Sequence, residues 1–268
     1  MKKKVLFVSL VFGFLLAAAP VFAQNDDDRR MSAADKKDMA TGSAEPETFR
    51  TPVIFLAATP FRNVIFDLTC APPNVNPGDL GPGDRCVIIA PVGPTVFNER
   101  DLAHVTLPPR STDSILLTTA SHFFEYSMLN AGPTPTVGLF RSRPYMTLES
   151  DALNDPRAKD PTTGLPLNGK LDNVGLFALR RFFKTLSPAE DLADFLAFSS
   201  TRGFDKTLLS DPVSGFGLPA DIADKMFRGP ITIRLNVEGR LRNVDFALLT
   251  LGLRLRGNLK ANTEDHQN

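Results

Sequence analysis

The fold class predicted from the sequence is mainly β, an antiparallel, sandwich-like domain with a short helical insertion around residues 187–228. Three observations predict it. Short β-branched and aromatic runs recur along the chain, separated by turn residues, and 22 prolines keep the connections frequent. Near the C-terminus, "ITIRLNVEGR" alternates Ile231, Ile233, Leu235 and Val237 with Thr232, Arg234, Asn236 and Glu238, the period of a strand with one buried and one wet face.

At the N-terminus, Lys2, Lys3 and Lys4 precede an apolar run from Val5 to Ala19, followed by Val21-Phe22-Ala23 and Gln24. This reads as an export signal over residues 1–23 with a small-residue cleavage site. The run is shorter than the roughly 20 apolar residues of a membrane span, so a soluble mature chain is expected, periplasmic or extracellular. Residues 24–48 are polar and charged, a composition that cannot bury enough apolar surface to offset chain entropy, and they are read as a disordered leader. One mainly-β domain is expected over 49–260 and a polar tail over 261–268.

"PVIFLA", "NVIFDLT" and "CVIIAPV" open the domain as strands. Between them, Cys70 and Cys86, the only two cysteines, bracket the turn-rich "APPNVNPGDLGPGDR". A disulfide closing the base of this loop is expected, because redox or metal chemistry would need a CxxC pair or further His and Cys ligands close by. "DSILLTT", "HFFEYSML", "TVGLF" and "PYMTLE" continue the strands. "SDALNDPRAKDPTTGLPLNGKLD", Ser150 to Asp172, interrupts them with little that is apolar. Asp151, Asp155, Asp160, Asn168 and Asp172 are the residues that would supply oxygens to a calcium ion. Their spacing is not that of a calcium loop, and Asp155-Pro156, Asp160-Pro161 and Asn168-Gly169 are turn dipeptides, so a connector without metal or cofactor is expected.

"VGLFALRRFF" suits strand and helix equally. "LSPAEDLADFLAFSS" places Ser187, Pro188 and Glu190 as a capping box and stacks Leu192, Phe195, Leu196 and Ser199 on one helical face, which predicts a helix over about 188–197. A second helix is expected in "PADIADKMF", stopped by Gly229-Pro230. After a turn at Glu238-Gly239 the alternation resumes as Leu249, Leu251, Leu253 and Leu255 against Thr250, Gly252, Arg254 and Arg256, predicting a terminal hairpin or strand pair with an irregularity near Asn243.

Enzymatic motifs find little context. Gly215, Gly217 and Ala220 fit G-x-G-x-x-A, with Glu238 downstream. However, "LLSDPVS" cannot be the preceding parallel strand, and the following strand alternates as a half-exposed antiparallel one. The histidines are His104, His122 and His266. No G-x-S-x-G elbow occurs, Ser121 and His122 fall on opposite faces of one strand, and the histidines lack zinc spacing. Acidic pairs such as Glu149 and Asp151 leave a carboxylate-dependent, glycosidase-like hydrolase as the alternative function. A saccharide platform of exposed aromatics is poorly supplied, with no tryptophan and only Tyr126 and Tyr145; the 21 phenylalanines sit mostly in apolar runs and read as core.

Without Lys2, Lys3 and Lys4 the chain holds 27 basic against 30 acidic residues, a net charge of −3, which gives no reason to expect nucleic acid. Arg234, Arg240, Arg242, Arg254 and Arg256 nevertheless fall on the wet face of the terminal strands. If they collect into one band, an anionic polymer or membrane surface becomes the partner; otherwise they guard a strand from aggregation. The expected function is an exported structural or binding module without catalytic activity.

Overall fold

The computed structural model describes residues 53–91, 93–176, 180–212 and 215–258. The predicted signal peptide, leader and tail lie outside the described residues. The fold is a β-sandwich. One sheet runs β3 (Arg85–Ile88), β2 (Arg62–Asp67), β11 (Val244–Asn258), β5 (Ile115–Leu129) and β9 (Asp191–Asp205), with β1 (Val53–Ala58) also on β11. We call it sheet A. Sheet B runs β4 (Thr95–Leu107), β10 (Ile231–Arg242), β6 (Thr136–Glu149) and β7 (Lys170–Gly175), with β8 (Arg180–Leu186) also on β6. All pairings are antiparallel except β2 with β3.

The strands are longer than the runs that predict them, because neighbouring runs fuse: "DSILLTT" and "HFFEYSML" become β5, and "TVGLF" and "PYMTLE" become β6. Pro144 lies inside β6, where a proline would ordinarily break the ladder. It falls at a joint. β8 pairs β6 up to Ser142 and β7 pairs it from Tyr145, so the proline occupies the change of partner. β11 is shared in the same way, by β2 up to Leu251 and by β1 from Arg254. At that joint a Cβ on Gly252 would stand 2.7 Å from the Phe61 ring.

Facing aromatics join the sheets. Phe66 of β2 meets Phe97 of β4 at 4.6 Å between centroids, Phe124 of β5 meets Phe140 of β6 at 5.3 Å, and Tyr126 stacks on Phe140 at 5.7 Å. Each fully buried ring contributes roughly 2–3 kcal/mol of hydrophobic stabilisation. Not every phenylalanine is core: Phe55, Phe61, Phe183 and Phe195 are exposed.

Three expectations are corrected. Residues 188–197 are not a helix. Ser187–Glu190 forms a β-turn closed by Glu190 N–H donating to the Ser187 carbonyl at 3.0 Å, with Pro188 second and Ala189 third at φ +61°, the geometry of a type II turn. β9 then pairs β5 from Asp191 opposite Leu129 to Asp205 opposite Ile115. Leu192, Leu196, Phe198 and Phe204 turn inward opposite Met128, Phe124, His122 and Leu116. Fifteen residues of ladder outweigh a helical preference of a few tenths of a kcal/mol per residue. Secondly, Glu238-Gly239 is not a turn but lies within β10. Thirdly, β10 and β11 form no hairpin. The chain bends at Asn243, at φ +51°, and passes from sheet B to sheet A.

The second expected helix is present as α2 (Ala220–Arg228), ending at Gly229, and is preceded by α1 (Lys206–Ser210), capped by Asp205 accepting from Leu208 N–H at 2.6 Å. α2 buries Ile222, Ala223, Met226 and Phe227 at one end of the sandwich. Within "VGLFALRRFF", Val174 and Gly175 end β7 and the residues from Arg180 on are in β8.

Cys70 and Cys86 form a disulfide, with Cα atoms 5.9 Å apart. Beside it, Asp67 is 1 % exposed and accepts from Thr69 N–H at 2.8 Å, Cys70 N–H at 3.0 Å and Asn74 Nδ2 at 3.0 Å. Burial raises its pKa, but these donors outweigh it and hold the carboxyl below its ordinary value. No helix among the described residues is long and apolar enough to cross a membrane.

Candidate functional site

The acidic stretch Ser150–Asp172 folds on itself. Asp155 accepts from Arg157 N–H at 3.0 Å and from the Arg157 guanidinium at 2.8 Å, which also reaches Asp221 of α2. Asp160 accepts from Thr162 N–H and Thr163 N–H, each at 2.8 Å. Asn168 and Gly169, at φ +52° and +84°, turn the chain into β7. Asp151 opens a short 3-10 turn, and Leu153, Ala158 and Leu167 are buried with the α2 side chains. Among the described residues no group of three or more His, Cys, Asp or Glu side chains is placed to hold a metal. Asp172 alone belongs elsewhere, on the outer face of sheet B.

That face carries a closed polar ring between two bulges. On one side Asn236 of β10 faces three residues of β4, Arg100, Asp101 and Leu102. On the other, Thr147 of β6 faces two of β7, Asp172 and Asn173. Such extra residues re-aim side chains, and Asp101 and Asn173 take φ +53° and +61° to do so. Asp101 N–H donates to Asn236 Oδ1 at 2.8 Å, and Asn236 Nδ2 donates to Thr147 Oγ1 at 3.1 Å. Thr147 donates to Asp172 at 2.7 Å, and Arg100 closes the ring on Asp172 at 3.0 Å. Around it, Arg234 grips Glu149 at 2.8 and 3.0 Å and Asp101 at 2.7 Å, His104 meets Asp101 at 3.0 Å, and Arg143 meets Glu238 at 2.8 Å and Asn173. Burial raises the pKa of Asp101 and Asp172, but the hydrogen bonds from Arg234 and His104 to Asp101, and from Thr147, Asn173 N–H and Arg100 to Asp172, hold both below the ordinary value. Neither is a proton donor at neutral pH.

The same face continues beyond Glu238 into unneutralised charge. Arg181 of β8 pairs with Arg141 of β6, and Arg141 with Arg240 of β10, so three exposed arginines occupy one cross-strand row about 10 Å wide. The next row holds Phe183, Leu139 and Arg242. Among the described residues none of Arg141, Arg181, Arg240 or Arg242 has an ion-pair partner, and the neighbouring carboxylate, Glu238, is taken by Arg143.

The five arginines singled out from the sequence are thus divided. Arg234, Arg240 and Arg242 lie on the outer face of sheet B, and Arg234 is committed to the ring. Arg254 and Arg256 belong to β11 on the outer face of sheet A, so no single band of five exists. Arg141 and Arg181 were not foreseen. The alternation of Leu139, Arg141 and Arg143 within "GLFRSRP" is the signal that marks Arg141.

Other candidates hold less. His122 is fully buried against Phe124, with ring centroids 4.9 Å apart; burial foremost, then the Arg180 charge, pushes its pKa down to about 3. Gly215 and Gly217 follow a helix, not a strand, and a Cβ on Gly215 would stand 1.7 Å from the Leu208 carbonyl oxygen, so that glycine is required by a tight turn. A groove of about 320 Å³ near α2 is lined by Arg110, Asp113, Lys206, Asp224 and Arg228, but Asp224 is gripped by Lys206 and Arg228, each at 2.7 Å.

No protein-family model matches the chain, and no curated protein matches it. Among solved structures it aligns with the D431N mutant VP2 protein of infectious bursal disease virus, in derived T=1 particles, at 9 % identity and a TM-score of 0.09. The alignment covers 81 % of this chain and 42 % of that one, and a likeness this low carries no argument.

Proposed function

We propose that the protein is an exported binding module without catalytic activity, and that the outer face of sheet B engages an anionic partner through Arg141, Arg181, Arg240 and Arg242. The observation that carries this reading is the row of three arginines in direct register. Like charges directly opposite one another destabilise a sheet, and burial of the core gains nothing from them. An anion laid across the row turns that repulsion into attraction. The lysine-led apolar N-terminus is the feature that points to export, and the Cys70–Cys86 disulfide is compatible with it. The alternative, a carboxylate-dependent hydrolase, draws less support, because such enzymes keep one carboxyl protonated as a general acid, whereas Asp101 and Asp172 are held ionised.

The test is binding of dextran sulfate by titration calorimetry at low and raised salt. Affinity is expected to fall with salt, and the double variant Arg141→Ala/Arg240→Ala to bind at least tenfold more weakly. Arg254→Ala, on the other sheet, is expected to bind as the parent does. A parent protein that ignores the polyanion, or an equal loss in Arg254→Ala, overturns the reading.

A further inference from the structure

We infer that the anionic partner is a lipid bilayer surface, an assignment that rests on the anion-binding reading above. The arginines are interleaved with apolar side chains on the same exposed face. Phe183 is 64 % exposed in the row beside Leu139 and Arg242, Val96 is 73 % exposed opposite Arg240, and Val137, two residues along β6 from Leu139, is 41 % exposed. Arg181 lies over the Phe183 ring at 4.7 Å, so charge and ring are presented together at the β8 edge.

A hydrated polyanion such as a sulfated or carboxylated polysaccharide presents charge and hydroxyls, and has nothing to offer exposed valine, leucine and phenylalanine. A bilayer with anionic headgroups offers phosphate at one depth and acyl carbon a few ångströms below. Arginines pair with the first, while their stems and the apolar side chains between them reach the second. Each arginine at such a surface is expected to contribute about fivefold to the partition coefficient, so four of them, seeded with Phe183 and Val96, make a reversible, salt-sensitive anchor. The remainder of the outer face, where Arg100, Arg143 and Arg234 are paired with carboxylates, stays in water.

The chain contains no tryptophan, so Phe183→Trp places a single fluorescent reporter in the patch. The mature protein, beginning at Gln24 and carrying this substitution, is mixed with phosphatidylcholine vesicles, with and without phosphatidylglycerol, and separately with dextran sulfate. The expected result is a blue shift and quenching by brominated acyl chains with phosphatidylglycerol vesicles only, and binding to dextran sulfate without a blue shift. Adding Arg141→Ala/Arg240→Ala is expected to weaken both associations at least tenfold. In the parent background, Phe183→Ser/Val96→Ser, both at exposed positions, is expected to weaken vesicle co-sedimentation at least tenfold while dextran sulfate binding is kept. If dextran sulfate binds but vesicles do not, or if the Ser variant sediments with vesicles as the parent does, the lipid assignment is overturned and the anion-binding reading stands. If neither ligand binds, both are overturned.

Discussion

Arg141 and Arg240 face one another directly across the β6–β10 ladder, two like charges at a position where a sheet gains from opposite ones. Replacing Arg240 by glutamate converts the pair into a cross-strand ion pair. At low salt Arg240→Glu is expected to raise stability by about 0.5 kcal/mol in chemical denaturation, with the gain fading as salt screens it, while polyanion binding is lost. A loss of stability would show that the arginine stem contributes more through packing than its charge costs.

His122 links stability to acid. In the unfolded chain its pKa is about 6.5, and in the fold it is pushed down to about 3, so below neutrality the unfolded state takes up a proton that the folded state refuses. Stability from this residue is therefore full above pH 7 and declines as pH falls from about 6.5 toward 3. The decline amounts to about 2 kcal/mol between pH 7 and pH 5. Denaturation of His122→Leu across that range is expected to show a shallower decline than the parent.

Ala189 sits at φ +61° in the turn before β9. The left-handed conformation costs a residue with a Cβ about 1 kcal/mol. Ala189→Gly is expected to recover most of it, read as a rise of a few degrees in Tm. Ser187→Ala should change little, because the Ser187 backbone, not its hydroxyl, makes the turn.

Calcium should leave Tm unchanged. A bound ion at a hundredfold excess over Kd would add about 2.7 kcal/mol, too large to miss in a thermal melt. Asp155 and Asp160 are already satisfied by Arg157 and by the Thr162 and Thr163 amides. A rise of several degrees, abolished by Asp160→Ala, would make the loop a metal site.

Strand content, the disulfide and α2 are legible in the sequence because each rests on local chemistry: alternation, cysteines flanking a turn-rich loop, a short apolar stripe ending at glycine. The helix at 188–197 is not, because Ser-Pro-Ala-Glu carries two meanings. The Glu190 carboxylate reaches back to Ser187 N–H at 2.8 Å, as in a capping box, yet closes a turn into a strand. The arginine row fails to show for another reason. Arg141 and Arg240 lie 99 positions apart, and nothing local in either segment specifies the register that brings them face to face. The same want of register information turned β10 and β11, adjacent in sequence, into an expected hairpin.

The placement of β10 and β11 makes both sheets depend on the last described strands. β4 reaches β6 only through β10, and β2 reaches β5 only through β11, so each sheet lacks its middle until the final described strands arrive. Until then β5 with β9, and β6 with β7 and β8, can form only separate fragments with open edges. Closure of the sandwich depends on contacts across most of the chain length, the kind of topology that folds slowly, and any interruption of residues 231–258 removes the middle of both layers at once.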